Sequence, residues 1–547
     1  MSLRAPLVYC LPEDTARVAR AAFPKGNAYL RIYDALGPIY SNPQFASLFP
    51  AAGQPAVAPA QLALATIFQF AEGLSDRQAA DAVRGRIDWK YALCLELDDP
   101  GFDASVLSEF RARLLGGEAE ALLFDTLLDV LREQGLVKAR GKQRTDSTHV
   151  LAAVQVLNRL EFVGEALRHA LNTLASAAPA WLREQAPVAW FDRYAQRFAE
   201  YRLPDALAAR TALAEQIGAD GRILLAAVHA AGAPAWLREV PAVETLRRAW
   251  VQQFHAAEPI RWRDATDLPP AARLISTPYD PEARYSAKRS THWTGYTVHR
   301  TETCDDAAPP LLTDVTTTAA PSADNTAIAT IQARLAARDL LPRTHLVDAG
   351  YVTADRLVAS AEEHGCALLG PIHADASWQA RAATGYAQAD FALDWAAERA
   401  TCPQGKTSME WKPATDSAGR DVIRVRFAPA DCGPCPARPQ CNASPRARMV
   451  MLRPRPQHEA LLMARRRQHT AAFKEAYRRR AGIEGTVAQG VRLGDLRRTR
   501  YRGLAKTRLL HLLIATALNF VRLAAWLAER PRAQTRVSAF ARLAPAT

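Results

Sequence analysis

Long uninterrupted apolar runs are missing from this 547-residue chain. The nearest approach, LLHLLIATALNFVRLAAWLA from Leu509, is about long enough to span a bilayer but contains His511, Asn519 and Arg522. Those three are costly in hydrocarbon, so the stretch reads as a buried or half-buried core helix. Cysteine is scarce, with eight in the chain, and no apolar signal region follows the start MSLRAPLVYCLPEDTARV. Both features argue for a reducing, cytosolic setting and against secretion or a disulfide scaffold. A chain of this length has material for a large core and two or three domains without such staples.

Acids are nearly absent from one stretch. Between Arg438 and Arg508 there are 19 Lys and Arg against four Asp and Glu, a local net charge of +15 in a chain whose total is +13. The rest is close to neutral. A basicity this local is the footprint of a surface that receives a polyanion, most often nucleic acid. A solvated basic helix is the plainer alternative. One of the four acids is Glu484, in KEAYRRRAGIEGT. Tyr477, Arg480 and Glu484 fall at i, i+3 and i+7, which puts a hydroxyl, a phosphate-binding guanidinium and an acid on one face of a continuous helix. Local pairing of Glu484 with Arg480 would contribute only tenths of a kcal/mol. It does not account for Gly482 and Gly485, which weaken a helix by about 1 kcal/mol each and would let a DNA backbone approach closely.

The pattern changes along the chain. Helical spacing, as in QLALATIFQFAEGLSDRQAADAVRG with Ser75 at a helix start, marks residues from about Pro59 to Leu115. A β-rich stretch, KQRTDSTHVLAAV, then carries Asp146, and a long Ala-rich helical segment follows from about Val156 to Phe254. HWTGYTVHRTETC and PLLTDVTTTAA are β-branched runs separated by DDAAPP and read as a hairpin-like pair. Next comes a helix with Ser322 and Asp324 placed to cap it, and then RTHLVDAGYVTADRLVASAEEHGCALLGPI, which reads strand, turn, helix, strand. These elements describe a mixed sheet with crossover helices, in which ligands favour strand ends. Asp146 and Asp348 both fall on or at the end of such strands. Metal-assisted phosphoryl transfer needs converging oxygen ligands, and Glu484 would be the third acid. Taken singly, an Asp at a strand end is more often a cap or turn residue than a catalytic one.

Four cysteines, Cys402, Cys432, Cys435 and Cys441, have the spacing C-x29-C-x2-C-x5-C. A knuckle with two further thiolates suits a closed, tetrahedral structural Zn²⁺ site. Free core thiols are the alternative, and are the reading for Cys10, Cys94, Cys304 and Cys366. His149 reads as a structural hydrogen-bonder or a neighbour of the metal ligands. Trp293 and Tyr296 read as core strand aromatics or as stacking partners for an unpaired base.

The set TDSTHV, HLVDAGY and YRRRAGIEGTVAQGVR, followed by RRTRYRGLAKTRLLHLL, resembles bacterial insertion-sequence transposases with a DDE triad. GQPAVAPAQLALATIFQFAEGLSDRQAADAVRGRIDWKYAL and GFDASVLSEFRARL are similar to the helical domain that precedes their catalytic core. DPEARYSAKRSTHWTGYTVH resembles the stretch between their first two acids. The resemblance implies an α/β protein whose core is an RNase H-like mixed sheet. Its parts would be an N-terminal helical domain over 1–140, a candidate for DNA-end recognition, a first core strand over 141–155 and a helical insertion over 156–260. The core would continue over 261–400, a cysteine-rich zinc insertion would cover 401–445, and the Glu helix with C-terminal helices would cover 446–547.

The resemblance further implies that Asp146, Asp348 and Glu484 are catalytic and hold two Mg²⁺ (or Mn²⁺) ions. Tyr477 and Arg480 would belong to a Tyr-Arg-Glu-Lys signature. That pattern's Lys position is Val491 here, with Arg492 one step later and about a quarter-turn away on a helix. Tyr477, Arg480, Arg492, Arg498, Arg500 and Lys506 are the candidate DNA contacts. The implied partners are double-stranded DNA at element ends and target, with a homodimer pairing two ends, in the bacterial cytoplasm at the nucleoid. The implied reaction cuts at element ends and joins the freed 3′-hydroxyl to target DNA. The alternatives are a DDE nuclease without strand joining, an inactive DNA-binding derivative, and a hydrolase of small phosphates, for which so large a basic window is unnecessary.

Overall fold

A computed structural model describes residues 2–3, 10–288, 290–382, 385–531 and 543. Six strands form one mixed sheet: β1 (Lys142–Leu151), β2 (Arg284–Lys288), β3 (Thr291–Thr303), β4 (Leu312–Ala319), β5 (Thr344–Val347) and β6 (Ala367–Leu369). β3 runs antiparallel to β1 on one side, and its far edge pairs with β2 and then with β4, both antiparallel. β5 and then β6 lie parallel on the other side of β1. The composition follows this placement. β3 is rich in Thr and aromatic residues and buried from Trp293 to Thr303, whereas β5 is short, apolar and enclosed.

Nine helices need names here. α1 (Pro59–Glu72) belongs to the N-terminal helical region. α2 (Arg159–Ala177), α3 (Leu207–His229) and α4 (Pro241–Gln253) follow β1 and pack around a core of their own that includes Leu167, Ile217, Leu246 and Trp250. α5 (Asp324–Ala337) and α6 (Ala354–Glu362) precede β5 and β6. α7 (Ala471–Arg478), α8 (Gly482–Gly494) and α9 (Leu504–Leu527) complete the fold.

α9 lies in the largest core cluster, which combines the N-terminal helices with one face of the sheet. Among the described residues it is the one helix long and apolar enough to cross a membrane, and 78% of its apolar window is buried inside the fold. The three polar residues that interrupt its sequence all face the sheet. Asn519 accepts from the Leu312 amide and donates to the Leu312 carbonyl, both at 2.8 Å, which completes the pairing of strand β4. His511 Nδ1 lies 2.8 Å from the Thr317 hydroxyl. Arg522 reaches the carboxylate of Glu302 at 2.7 Å.

Glu302 is fully buried on β3 and is held from several sides. Arg144 of β1 pairs with it at 2.7 Å, and the Thr486 hydroxyl of α8 donates to it at 2.6 Å. Burial alone would raise its carboxyl, but Arg522 and Arg144 outweigh burial and hold it below the usual carboxylate range. The same Arg144 donates to the Arg479 carbonyl.

That last bond falls where the expected helix continues with right-handed helical dihedrals but tightens for one turn. Tyr477 ends α7, Arg479–Ala481 form a 3₁₀ turn, and Glu484 sits in the first turn of α8. The Arg479 carbonyl is taken by a side chain, and the 3₁₀ turn tightens the chain around it. Gly482 makes room for this, since a Cβ there would stand 2.2 Å from Arg144 Nη1. Its smallness therefore serves internal packing rather than DNA approach, while a Cβ on Gly485 would meet nothing within 4 Å. Two smaller expectations also change. α5 begins at Asp324 with no side-chain cap, and Asp324 turns instead toward Ser147. Cys304 and Cys366 are buried, but Cys10 is exposed.

Removing the central acid leaves two inward-facing arginines unpaired. Glu302→Ala should cost about 3–5 kcal/mol, the usual loss for half of a buried pair, as read by denaturant unfolding. Acid should weaken the fold as well. Burial pushes His299 and His345 down to about 4 and His511 down to about 3. The unfolded chain takes up protons at these sites below about 6.5 and the folded chain does not. Stability should therefore fall as pH drops from about 6.5 toward 4, by up to about 1.4 kcal/mol per pH unit for each histidine. Thermal melts across that range measure the slope, and His345→Gln should flatten it.

Candidate active site

Strand pairing assembles the first two acids. The parallel register ends at Thr145 opposite Val347, so Asp146 and Asp348 follow side by side where β5 stops. Asp348 accepts from the Ala349 amide at 2.7 Å and so starts the 3₁₀ turn Ala349–Tyr351. Asp146 accepts from the Ser147 amide at 2.8 Å. Both line a cavity of about 460 Å³ whose wall also includes Asp324, Lys288, His149 and Arg480.

Arg480 joins these acids to the third. Its Nη2 lies 2.7 Å from Asp146 Oδ2, and its Nη1 lies 3.6 Å from Glu484 Oε1. The Arg480 side chain is 14% exposed and that of Glu484 is 72% exposed. Burial pushes the Asp146 carboxyl up, and Asp348 adds to this, against the pull of Arg480 and the Ser147 amide. Burial opposes the charge on Arg480, yet Asp146, Tyr477, Asp348 and Glu484 together raise it. Burial also pushes the Tyr477 hydroxyl up to about 12, so it is a donor at neutral pH, and its ring stacks on Phe473 at 5.4 Å.

The other sequence-based DNA candidates lie elsewhere. Arg492 opens on a groove of about 810 Å³ with Arg479, Arg522 and Trp526. The Arg498 backbone bridges to Leu151, at the end of β1. The Arg500 guanidinium covers the Phe70 and Tyr501 rings at 5.5 and 5.3 Å. Lys506 is exposed in the first turn of α9. None of these four lines the cavity of Asp146. His149 is half-buried with its ring 5.6 Å from Trp293. Trp293 and Tyr296 are core residues: the indole donates to the Tyr296 carbonyl, and the Tyr296 hydroxyl donates to Asp280.

Three residues near the acids escaped the sequence reading. Asp324 accepts from the Ser147 hydroxyl at 2.9 Å, and Lys288 stands 3.5 Å from Asp324. Arg300, the register partner of Asp146, is fully buried, and its three guanidinium nitrogens have no hydrogen-bond partner among the described residues. Burial pulls Arg300 down to about 10 against Glu302 and Asp146. Its sequence signal is an arginine inside the β-branched run GYTVHRTET.

A small module holds the cysteines. Its strands are β7 (Ala392–Asp394), β8 (Arg399–Thr401), β9 (Glu410–Thr415), β10 (Asp421–Arg426) and β11 (Met449–Leu452). Its core of Phe391, Val425, Phe427, Val450 and Leu452 packs against Cys402, Cys432 and Cys441. The Lys406 amide donates to Cys402 Sγ at 3.4 Å. Burial raises the Cys441 thiol, Arg448 opposes this, and Cys432, Cys402 and Cys435 add to it, so all four thiols share one neighbourhood. Among the described residues, however, no three His, Cys, Asp or Glu are grouped to hold a metal ion, here or around Asp146. By donor type alone, carboxylate oxygens suit a hard divalent cation and thiols suit zinc.

Two family models match the chain. Transposase DDE domain covers residues 401–524, from the cysteine module through α8 and most of α9, and so takes in Glu484 but neither Asp146 nor Asp348. Transposase domain (DUF772) covers residues 17–113, in the N-terminal helical region. No curated protein and no solved structure matches. The two matches support an insertion-sequence transposase, and the first implies nuclease or transferase activity in general.

Proposed function

We propose that this chain is a DDE transposase with an RNase H-like core that cuts at the ends of an insertion sequence and joins the freed 3′-hydroxyl to target DNA. One observation carries the proposal: the β1–β5 register sets Asp146 beside Asp348, and Arg480 links Asp146 to Glu484. The strand order β4-β3-β1-β5-β6, antiparallel on one side of β1 and parallel on the other, supports the fold assignment.

Asp146, Asp348 and Glu484 would hold two Mg²⁺ or Mn²⁺ ions. When bound, such ions activate the attacking oxygen and stabilise the leaving one. The chain's own groups do the rest. Arg480 exchanges its contact with Asp146 for a phosphate oxygen, which frees that carboxylate. Tyr477, protonated at neutral pH, donates to the strand being cut. Arg492, Arg498, Arg500 and Lys506 contact DNA away from the reacting phosphate, so binding weakens steeply with salt. Water is the nucleophile in the first step and the DNA 3′-hydroxyl in the joining step, with no covalent enzyme intermediate. The protein would act as a DNA-bound homodimer in the bacterial cytoplasm.

A plasmid carrying the gene's own flanking DNA, incubated with Mg²⁺, tests this. The native protein should cut at the flanking ends and yield joined products, and Glu484→Gln should do neither while folding normally. Cutting without joining would identify a nuclease. Equal DNA binding by both proteins with no cutting by either would identify an inactive DNA-binding derivative.

We also propose that Cys402, Cys432, Cys435 and Cys441 bind one structural Zn²⁺. Metal analysis of the pure protein should find one zinc per chain, and chelation should unfold this module first. Pure protein without zinc, and unaffected by chelator, would remove the assignment.

A further inference from the structure

The cavity of Asp146 and Asp348 must receive a phosphodiester, yet its acids outnumber its cations. Among the described residues its permanent cations are Arg480 and Lys288, against Asp146, Asp348 and Asp324. No residue of α8, Glu484 included, lines this cavity. Val491, where a lysine was expected, is partly buried against the main core, and Arg492 opens on a different groove. Arg480 is enclosed and held at 2.7 Å by Asp146.

Lys288 differs in every respect. It ends β2 next to the β2–β3 turn, its side chain is 61% exposed, and its ammonium stands 3.5 Å from Asp324 Oδ2. Pairs this exposed are worth about 0–1 kcal/mol, so the lysine leaves its partner at little cost. Asp324 is fixed: Ser147 donates to its Oδ1, and a Cβ on Gly350 would stand 2.8 Å from its Oδ2. One partner is anchored in the wall and the other is tethered at the rim.

We propose that Lys288 is a phosphate-binding residue of this site, stored against Asp324 until a DNA strand enters and then transferred to a phosphate oxygen of that strand. It supplies, from the neighbouring hairpin, the ammonium that α8 lacks. A phosphate oxygen competes well for a compact, mobile ammonium, which binds phosphate as a point charge and needs no planar geometry. The inference rests on the transposase reading, because a DNA strand is its ligand.

The test measures binding of the full chain to a duplex of the gene's flanking sequence across a salt series. Lys288→Ala should weaken binding and reduce the slope of log K against log salt by about 1, the change expected for one lost phosphate contact. Lys288→Arg should restore both. Asp324→Asn keeps the acceptor for Ser147 and should tighten binding in the native background but not beside Lys288→Ala. An unchanged slope in Lys288→Ala, or equal tightening by Asp324→Asn in both backgrounds, would overturn the inference and leave the transposase reading standing. Absence of DNA binding by the native chain would overturn both.

Discussion

One buried carboxylate, Glu302, holds the active region together. Arg144 reaches it from β1, Arg522 from α9 and Thr486 from α8, while Glu302 itself belongs to β3. Four elements from three distant parts of the sequence meet on two oxygens. Burying a charge this deeply is costly unless every lone pair is used, and here the charge-assisted partners use them. Arg144 is two residues from Asp146, and Thr486 is two residues from Glu484. The network thus fixes the distance between the strand that carries one acid and the helix that carries another, without touching either.

A second electrostatic constraint lies directly under the first acid. Asp146 has Arg300 beside it in the sheet and Arg480 above it, so an inward-facing carboxylate is balanced from two sides. Arg300 is buried in the sheet and Arg480 lies within a short 3₁₀ turn. Both cations oppose the burial that pushes the Asp146 carboxyl up.

Much of this was legible in the sequence. The β-rich stretch KQRTDSTHVL and the β-branched runs marked β1, β3 and β4, and the acid before a turn in HLVDAGY marked the end of β5. β2 escaped because five residues with little alternation give a weak signal, and Lys288 escaped with it. The 3₁₀ turn at Arg479–Ala481 was not legible, because the Arg479 carbonyl there is taken by an arginine from a strand more than three hundred residues away. Spacing rules assume that carbonyls find partners within their own helix. Gly482 showed that something came close, but not that the visitor was Arg144 rather than DNA. The pairing of Arg492 and Arg500 with other surfaces was equally hidden, since local charge counts carry no direction.

The position of α9 has a consequence for how the protein is made. α1 near one end of the sequence and α9 near the other belong to a single core cluster, and the edge strand β4 has its Leu312 pairing completed by Asn519. Domains of a growing chain usually fold in order as they leave the ribosome. Here the N-terminal helices and the sheet have no complete core to fold onto until residues 504–527 have been synthesised. The buried core that sets Asp146 beside Asp348 is therefore complete only when nearly the whole chain has been made.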